Sequence, residues 1–263
     1  LNADYVQACR VSGTLYGLPQ MRDMAMGAGA YCIGQEYLDG IGFDYTSMYE
    51  DPENPDIIYT DYETLDNIFA QLHEKYPDKY VFAISDNMIG QGTIVDGVGG
   101  DYFGVLLDPA NSLQVENLFT SDIFKETCQR VYEWNQKGYI SQDAVTNDTA
   151  LSAQVKSGSY MSMMAQAKPG YSTQISGECG RPMVVFQVEP DIMKSSAVTG
   201  ILWHLNQGCE DPIAAMQLLN AFYTDPELSN LIIWGEEGTD YIVTEDGHIT
   251  FPEGVNADNS EWY

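Results

Sequence analysis

The sequence predicts an α/β fold, and three observations carry that expectation. Short apolar runs with strand character alternate with helical segments along the whole chain. The 263 residues suffice for one large domain or two small ones, and a chain of this length buries a full core without disulfide or metal staples. Hydrophobic residues make up 44%, which is ordinary for a globular chain and too many for a disordered one. No internal repeat and no low-complexity tract interrupts the alternation.

The elements follow in order. Residues Ala3 to Cys9 read as a helix, and Arg10 to Gly17 as a tight hairpin with Ser12-Gly13 as its turn. Leu18-Pro19-Gln20 ends that hairpin. The small-residue stretch Ala25 to Ala30 suits a crossing between domains or a close backbone approach, and leads into a strand around Tyr31-Ile33. Gln35 to Ile41 is a short helix closed by Gly42. Tyr45 to Pro55 is an acidic loop. Thr60 is placed to cap the next helix, with Glu63 completing a capping box and Leu65, Ile68, Phe69 and Leu72 on one face. Pro77 stops it.

Tyr80 to Ile84 is a buried strand, and Ser85 to Gly100 is Gly-rich. Val115 to Phe119 is a further strand. Ser121 caps a helix with Phe124, Val131 and Trp134 on one face, ended by Gly138. A helix begins at Asn147 or Asp148 and runs to Gly158. Tyr160 to Met164, Pro182 to Phe186 and Gly200 to His204 are strands, and Lys168 to Tyr171 is a turn. Asp211-Pro212 and Asp225-Pro226 each open a helix with proline at its first position. Tyr241-Val243 and His248-Phe251 form a hairpin closed by Asp246-Gly247.

Charge narrows the partners. Asp and Glu number 39 against 11 Lys and Arg, a net charge of −28. A surface this negative repels phosphate backbones, which argues against nucleic acid and anionic membranes, while a neutral solute is indifferent to it. The five cysteines, Cys9, Cys32, Cys128, Cys179 and Cys209, form no CxxC pair and no disulfide framework, and read as small buried hydrophobes. No apolar stretch approaches the ~20 residues of a membrane span.

Catalytic and metal chemistry find little support. The three histidines, His73, His204 and His248, lack metal-ligand spacing, and His73 and His248 read as surface residues. There is no GxSxG elbow, no P-loop, no GxGxxG opening a helix and no EF-hand spacing. A carboxylate pair at glycosidase separation arises by chance among so many acids. No catalytic residue, metal or cofactor is therefore expected. What remains is aromatic and polar: aromatics are 12%, with 18 Tyr against 9 Phe, a bias that suits amphipathic binding surfaces. Trp134 and Trp234 fall on helix faces as core, whereas Trp203 is balanced between core and site.

Several segments, taken together and in order, resemble the family 1 extracellular solute-binding proteins of ABC importers, the maltose-binding-protein-like type and its Gram-positive lipoprotein branch. They are Thr14 to Pro19, Tyr37 to Gly42, Val131 to Ile140, Gln154 to Gly158 with Met164, Asp211 to Leu228, and Gly235 to Tyr241 with the following hairpin. The resemblance implies a type II periplasmic-binding-protein-like α/β fold of two lobes with a cleft and a hinge. It places residues 26–195 as one complete second lobe, and 1–25 with 196–263 as part of the first, so that the chain reads as a truncated fragment.

The resemblance also implies the site and the setting. The ligand-binding candidates are Gln20 and Arg22 at the first crossing, Asn87 and Gln91 in the loop after Tyr80–Ile84, Lys168 and Tyr171 in the turn after Met164, and Trp203. The expected activity is non-catalytic binding of a sugar or oligosaccharide by interlobe closure. The expected partners are ABC permease subunits. The expected place is the cell exterior, with membrane contact only through an anchor outside this chain. Two rival readings remain: a glycan-degrading enzyme, and a cell-surface interaction module without a ligand cleft.

Overall fold

The computed structural model describes residues 2–20, 25–53, 55–84, 93–98, 102–245, 247–255 and 259–260. The chain divides into two compact units, residues 1–21 with 201–263, and residues 22–200.

The first unit begins with helix α1 (Ala3–Ala8), capped by the Asn2 side chain. Strands β1 (Arg10–Val11) and β2 (Thr14–Leu15) pair as the expected hairpin. Its turn places Ser12 at φ 50° and Gly13 at φ 83°, the two successive positive values of a type I′ turn. Strand β3 (Leu18–Pro19) is followed, in the second unit, by β4 (Ala25–Gly34), α2 (Gln35–Ile41), β5 (Ile57–Tyr59), α3 (Tyr62–Lys75) and β6 (Tyr80–Ala83). A small three-stranded sheet follows, made of β7 (Asp96–Gly97), β8 (Val105–Leu106) and β9 (Val115–Glu116). Then come α4 (Asp122–Gln136), α5 (Leu151–Lys156), β10 (Tyr160–Ala167), α6 (Tyr171–Cys179), β11 (Met183–Gln187), β12 (Asp191–Met193) and α7 (Ser195–Thr199). The chain returns to the first unit through β13 (Leu202–Trp203), α8 (Pro212–Thr224), α9 (Pro226–Trp234) and the hairpin β14 (Ile242–Val243) with β15 (Ile249–Thr250).

The second unit is organised by a six-stranded sheet in the order β5-β11-β4-β10-β6, with β12 also paired to β4. β4 runs antiparallel to β10, β11 and β12. β10 is parallel to β6, and β11 is parallel to β5. Helices cover both faces. One face packs Tyr31, Ile33, Met164 and Phe186 against α2, α3 and Trp134 of α4. The other packs Cys32, Met163 and Val185 against Val155 of α5 and Ile175 and Cys179 of α6. Burial on both faces explains why β10 and β11 read as continuous apolar runs rather than as alternating patterns. The buried serine in β10 that interrupts this, Ser162, is satisfied by donating its hydroxyl to the Val81 carbonyl at 2.5 Å.

Several expectations need correction. The cap of α3 is Asp61, whose carboxylate accepts the Thr64 N–H at 2.8 Å. Thr60 instead donates its own N–H to the Gln187 carbonyl at 2.9 Å and extends the β5–β11 pairing. The helix expected from Asn147 begins at Leu151, because the Asn147 side chain closes a local turn onto Thr149. The strand expected over Val115–Phe119 ends at Glu116, and Leu118–Thr120 is a 3₁₀ turn. The strand expected over Gly200–His204 is only Leu202–Trp203.

Helix α6 was not legible. Only Ile175 and Cys179 give it a buried face, too few positions for a periodic signal. Its first turn is held from another element: the Asp56 carboxylate accepts the N–H of Gly170 at 2.6 Å and of Ser172 at 3.0 Å. Replacing Asp56 by alanine is expected to lower stability by about 0.5–2 kcal/mol, the cost of a lost helix cap, as a reduced urea midpoint with unchanged slope.

His73 is not a solvated surface residue. Its ring lies 5.2 Å from that of Tyr139 and is half-buried. Among the cysteines, Cys9, Cys32 and Cys179 are buried as expected, but Cys128 is exposed and Cys209 half-buried. Trp134 is core, with 1% exposure. Trp234 is 37% exposed, because neither α8 nor α9 has a buried residue. Both helices nevertheless open with proline in the first turn as expected, and Asp211 and Asp225 each accept a backbone N–H beyond it.

Candidate functional site

The direction of the strands defines the candidate site in the second unit. β5, β11, β10 and β6 all run one way, against β4. Their carboxyl ends, at Tyr59, Gln187, Ala167 and Ala83, therefore gather at one edge of the sheet, together with the start of β4. In open α/β sheets the loops that leave the carboxyl ends of parallel strands form the ligand-binding crevice. The reason is geometric: the chain must turn there, so side chains point away from the packed layers.

Polar and aromatic groups collect on the β5–β11–β12 side of that edge. Tyr59 is 47% exposed and donates its hydroxyl to Asp191 Oδ2 at 3.3 Å. The Gln187 amide is 1% exposed. Its Nε2 donates to Asp191 Oδ1 at 2.9 Å and to the Glu189 carbonyl at 2.8 Å. Two donors from neighbouring strands thus fix one exposed carboxylate. Glu189 is half-buried, and burial raises its carboxyl pKa while the Arg130 charge pulls it down. Desolvation, and then Asp191, raise the Tyr59 phenol, so that it remains a neutral donor.

Beside them, the Arg130 guanidinium carbon lies 3.5 Å from the centre of the Tyr62 ring and its Nη1 lies 3.7 Å from Asp66. Tyr62 meets Tyr31 edge-on at 6.2 Å. Asp66 in turn accepts the Trp134 Nε1–H at 2.7 Å. The core aromatic cluster therefore continues outward, through Asp66 and Tyr62, to the sheet edge. Such a surface can accept hydrogen bonds from hydroxyl groups and offer ring faces and edges to C–H groups. Among the described residues, no group of His, Cys, Asp and Glu is arranged to hold a metal ion.

The structure places four of the seven expected ligand residues. Lys168 and Tyr171 sit together just beyond the carboxyl end of β10, where the Tyr171 N–H donates to the Lys168 carbonyl at 3.0 Å. Both are half-buried. The Tyr171 ring packs on the core beside Cys32 and Cys179, and burial pushes its phenol pKa up. Gln20 and Trp203 belong to the first unit, near the β3–β13 pair in which Trp203 opposes Leu18. Trp203 is 43% exposed. Gly17 permits that pairing, since a Cβ there would stand 2.9 Å from the Trp203 carbonyl. Arg22, Asn87 and Gln91 lie outside the described residues.

Tyr59, Tyr62, Gln187, Glu189 and Asp191 were missed by the sequence reading. The available signal was positional: Tyr59, Gln187 and Glu189 lie at or just after the ends of short apolar strands, while Tyr62 and Asp191 open the next element. It could be used only once the strands were known to be parallel.

Comparison with known proteins agrees with this architecture. No family model matches the chain. A carbohydrate ABC transporter substrate-binding protein of Streptococcus pneumoniae serotype 4 is 22% identical over 242 residues, covering 92% of this chain and 47% of that protein. The crystal structure of the N-glycan transport solute-binding protein NgtS from Streptococcus pneumoniae matches with a TM-score of 0.80 at 22% identity, over 97% of this chain and 54% of that one. Its complex with Man1GlcNAc matches with a TM-score of 0.76 at 22% identity, over 97% and 55% of the two chains. The chain thus spans about half the length of the relatives it matches. These relatives are transporter binding proteins, and no helix among the described residues is long and apolar enough to cross a membrane. The α/β architecture predicted from the sequence is thus the fold of the solute-binding proteins of carbohydrate ABC transporters.

Proposed function

We propose that this chain is part of the solute-binding component of a carbohydrate importer, that it binds a sugar or oligosaccharide reversibly, and that it makes and breaks no covalent bond. The observation that carries the reading is the sheet edge itself. Four strands deliver their carboxyl ends to it, and it presents Tyr59, Glu189 and Asp191 as a polar, aromatic, half-open surface. The fold shared with carbohydrate-binding relatives supports the same reading. Residues 26–195 would form one lobe, and 1–25 with 196–263 part of another. Ligand capture would shift an open–closed equilibrium. Gln20, Arg22, Asn87, Gln91, Lys168, Tyr171 and Trp203 remain candidate contacts, the chain would act outside the cell, and its partners would be ABC permease subunits.

Calorimetric titration against a panel of oligosaccharides tests the reading. Saturable binding to at least one glycan is expected, weakened in Tyr59→Ala and in Trp203→Ala, without release of any cleaved product. Absence of binding to every glycan in the panel, or turnover of an aryl glycoside, would overturn it.

A further inference from the structure

We propose that the edge formed by β5, β11 and β12 is an acceptor subsite for the hydroxyl groups of an uncharged sugar residue, and that it discriminates against a uronic acid at the same position. The inference rests on the glycan-binding reading and adds the charge class of the ligand.

The balance of hydrogen-bonding groups leads to it. Asp191 is exposed and held in place by one bond to each carboxylate oxygen, from Tyr59 and from Gln187. An ionised carboxylate offers about four lone-pair sites, so each oxygen retains capacity for a further donor. Behind it, the Gln187 Oε1 is buried and without a hydrogen-bond partner, on the same amide whose Nε2 reaches into the cluster. Glu189 adds a second carboxylate, two residues from Asp191 along the chain. Sugar hydroxyls can donate to the lone pairs that the Asp191 and Glu189 carboxylates leave open. A uronate carboxylate brings only further acceptors and a like charge.

The described cations do not reverse this balance. Arg130 is stacked on Tyr62 and close to Asp66. Lys194 donates to the Thr93 carbonyl at 2.8 Å and has the Asp96 charge acting on it. Lys168 follows β10, two strand spacings from β11, or roughly 9–10 Å. A carboxylate placed against Tyr59 meets Asp191 first, with the charges of Glu50 and Asp56 also acting on that phenol.

The test compares a manno-oligosaccharide with a mannuronate oligosaccharide of equal length, ligands that differ in the carboxylate at each ring. The neutral ligand is expected to bind at least tenfold more tightly at low ionic strength, and the gap is expected to narrow as salt screens the like charges. In Asp191→Asn and Glu189→Gln, with folding checked by circular dichroism, the gap is expected to shrink as uronate binding improves. Equal affinity for the two ligands, or a gap unchanged in both variants, would overturn the proposal while leaving glycan binding intact. Failure of every glycan to bind would remove the functional reading and this inference together.

Discussion

Replacing Trp134 by alanine is expected to lower the unfolding free energy of the sheet-bearing unit by about 3–5 kcal/mol, the usual range for removing a buried tryptophan. The ring is 1% exposed. It meets Tyr31, Phe69 and Phe82 with centroids 5.9, 5.2 and 5.3 Å away. Truncation leaves a cavity among stiff aromatic neighbours that cannot collapse to fill it. It also deprives Asp66 of the Nε1–H donor and frees the carboxylate that stands beside Arg130. The measurement is chemical denaturation followed by far-ultraviolet circular dichroism, because the substitution removes a fluorophore. Trp134→Phe separates the two effects. It keeps most of the apolar volume and loses the N–H with the small pyrrole part of the ring, so a loss of about 1–2 kcal/mol is expected for it. An alanine variant no less stable than the phenylalanine variant would show that the cluster is not the keystone of this layer.

Phe69→Ala is expected to cost a similar amount, about 3–5 kcal/mol. Phe69 lies on α3 and is fully buried. Its ring contacts Tyr31 and Tyr139 edge-on at 6.2 Å each, and Phe82 at 5.7 Å. Because it also touches Trp134, the two losses should not add. A double variant is expected to fall short of the sum by roughly 0.5–3 kcal/mol, the range for residues sharing a cavity. Simple additivity would contradict the packing. Both substitutions also bear on the candidate site, since Tyr31 links this cluster to Tyr62 at the sheet edge. Weaker glycan binding in the folded fraction of either variant is the expected functional echo.

The elements that the sequence determined are those written in short-range chemistry. The period of Leu65, Ile68, Phe69 and Leu72 placed α3, and all four are buried. Ser12-Gly13 specified a type I′ turn because only certain residues tolerate its positive φ. The Asp-Pro pairs opened α8 and α9 because proline needs no N–H at a helix start. The core position of Trp134 followed from the same periodicity. Where two short-range signals competed, as at Thr60 and Asp61, the sheet decided: Thr60 was drawn into pairing with Gln187, and the next residue capped the helix.

The tertiary structure alone decided the rest. Helix α6 exists because Asp56, distant in sequence, holds its first turn and because the sheet needs that face covered. The expectation for Trp234 failed because an apolar helix face records only the wish to be buried, and a neighbour must supply the burial. The candidate site has the same character. Tyr59, Gln187, Glu189 and Asp191 carry no local motif. They meet because β5 and β11 are parallel neighbours in register, with Tyr59 opposite Gln187. Strand order and direction are settled by pairing between segments 80 or more residues apart, and no window of sequence contains that information.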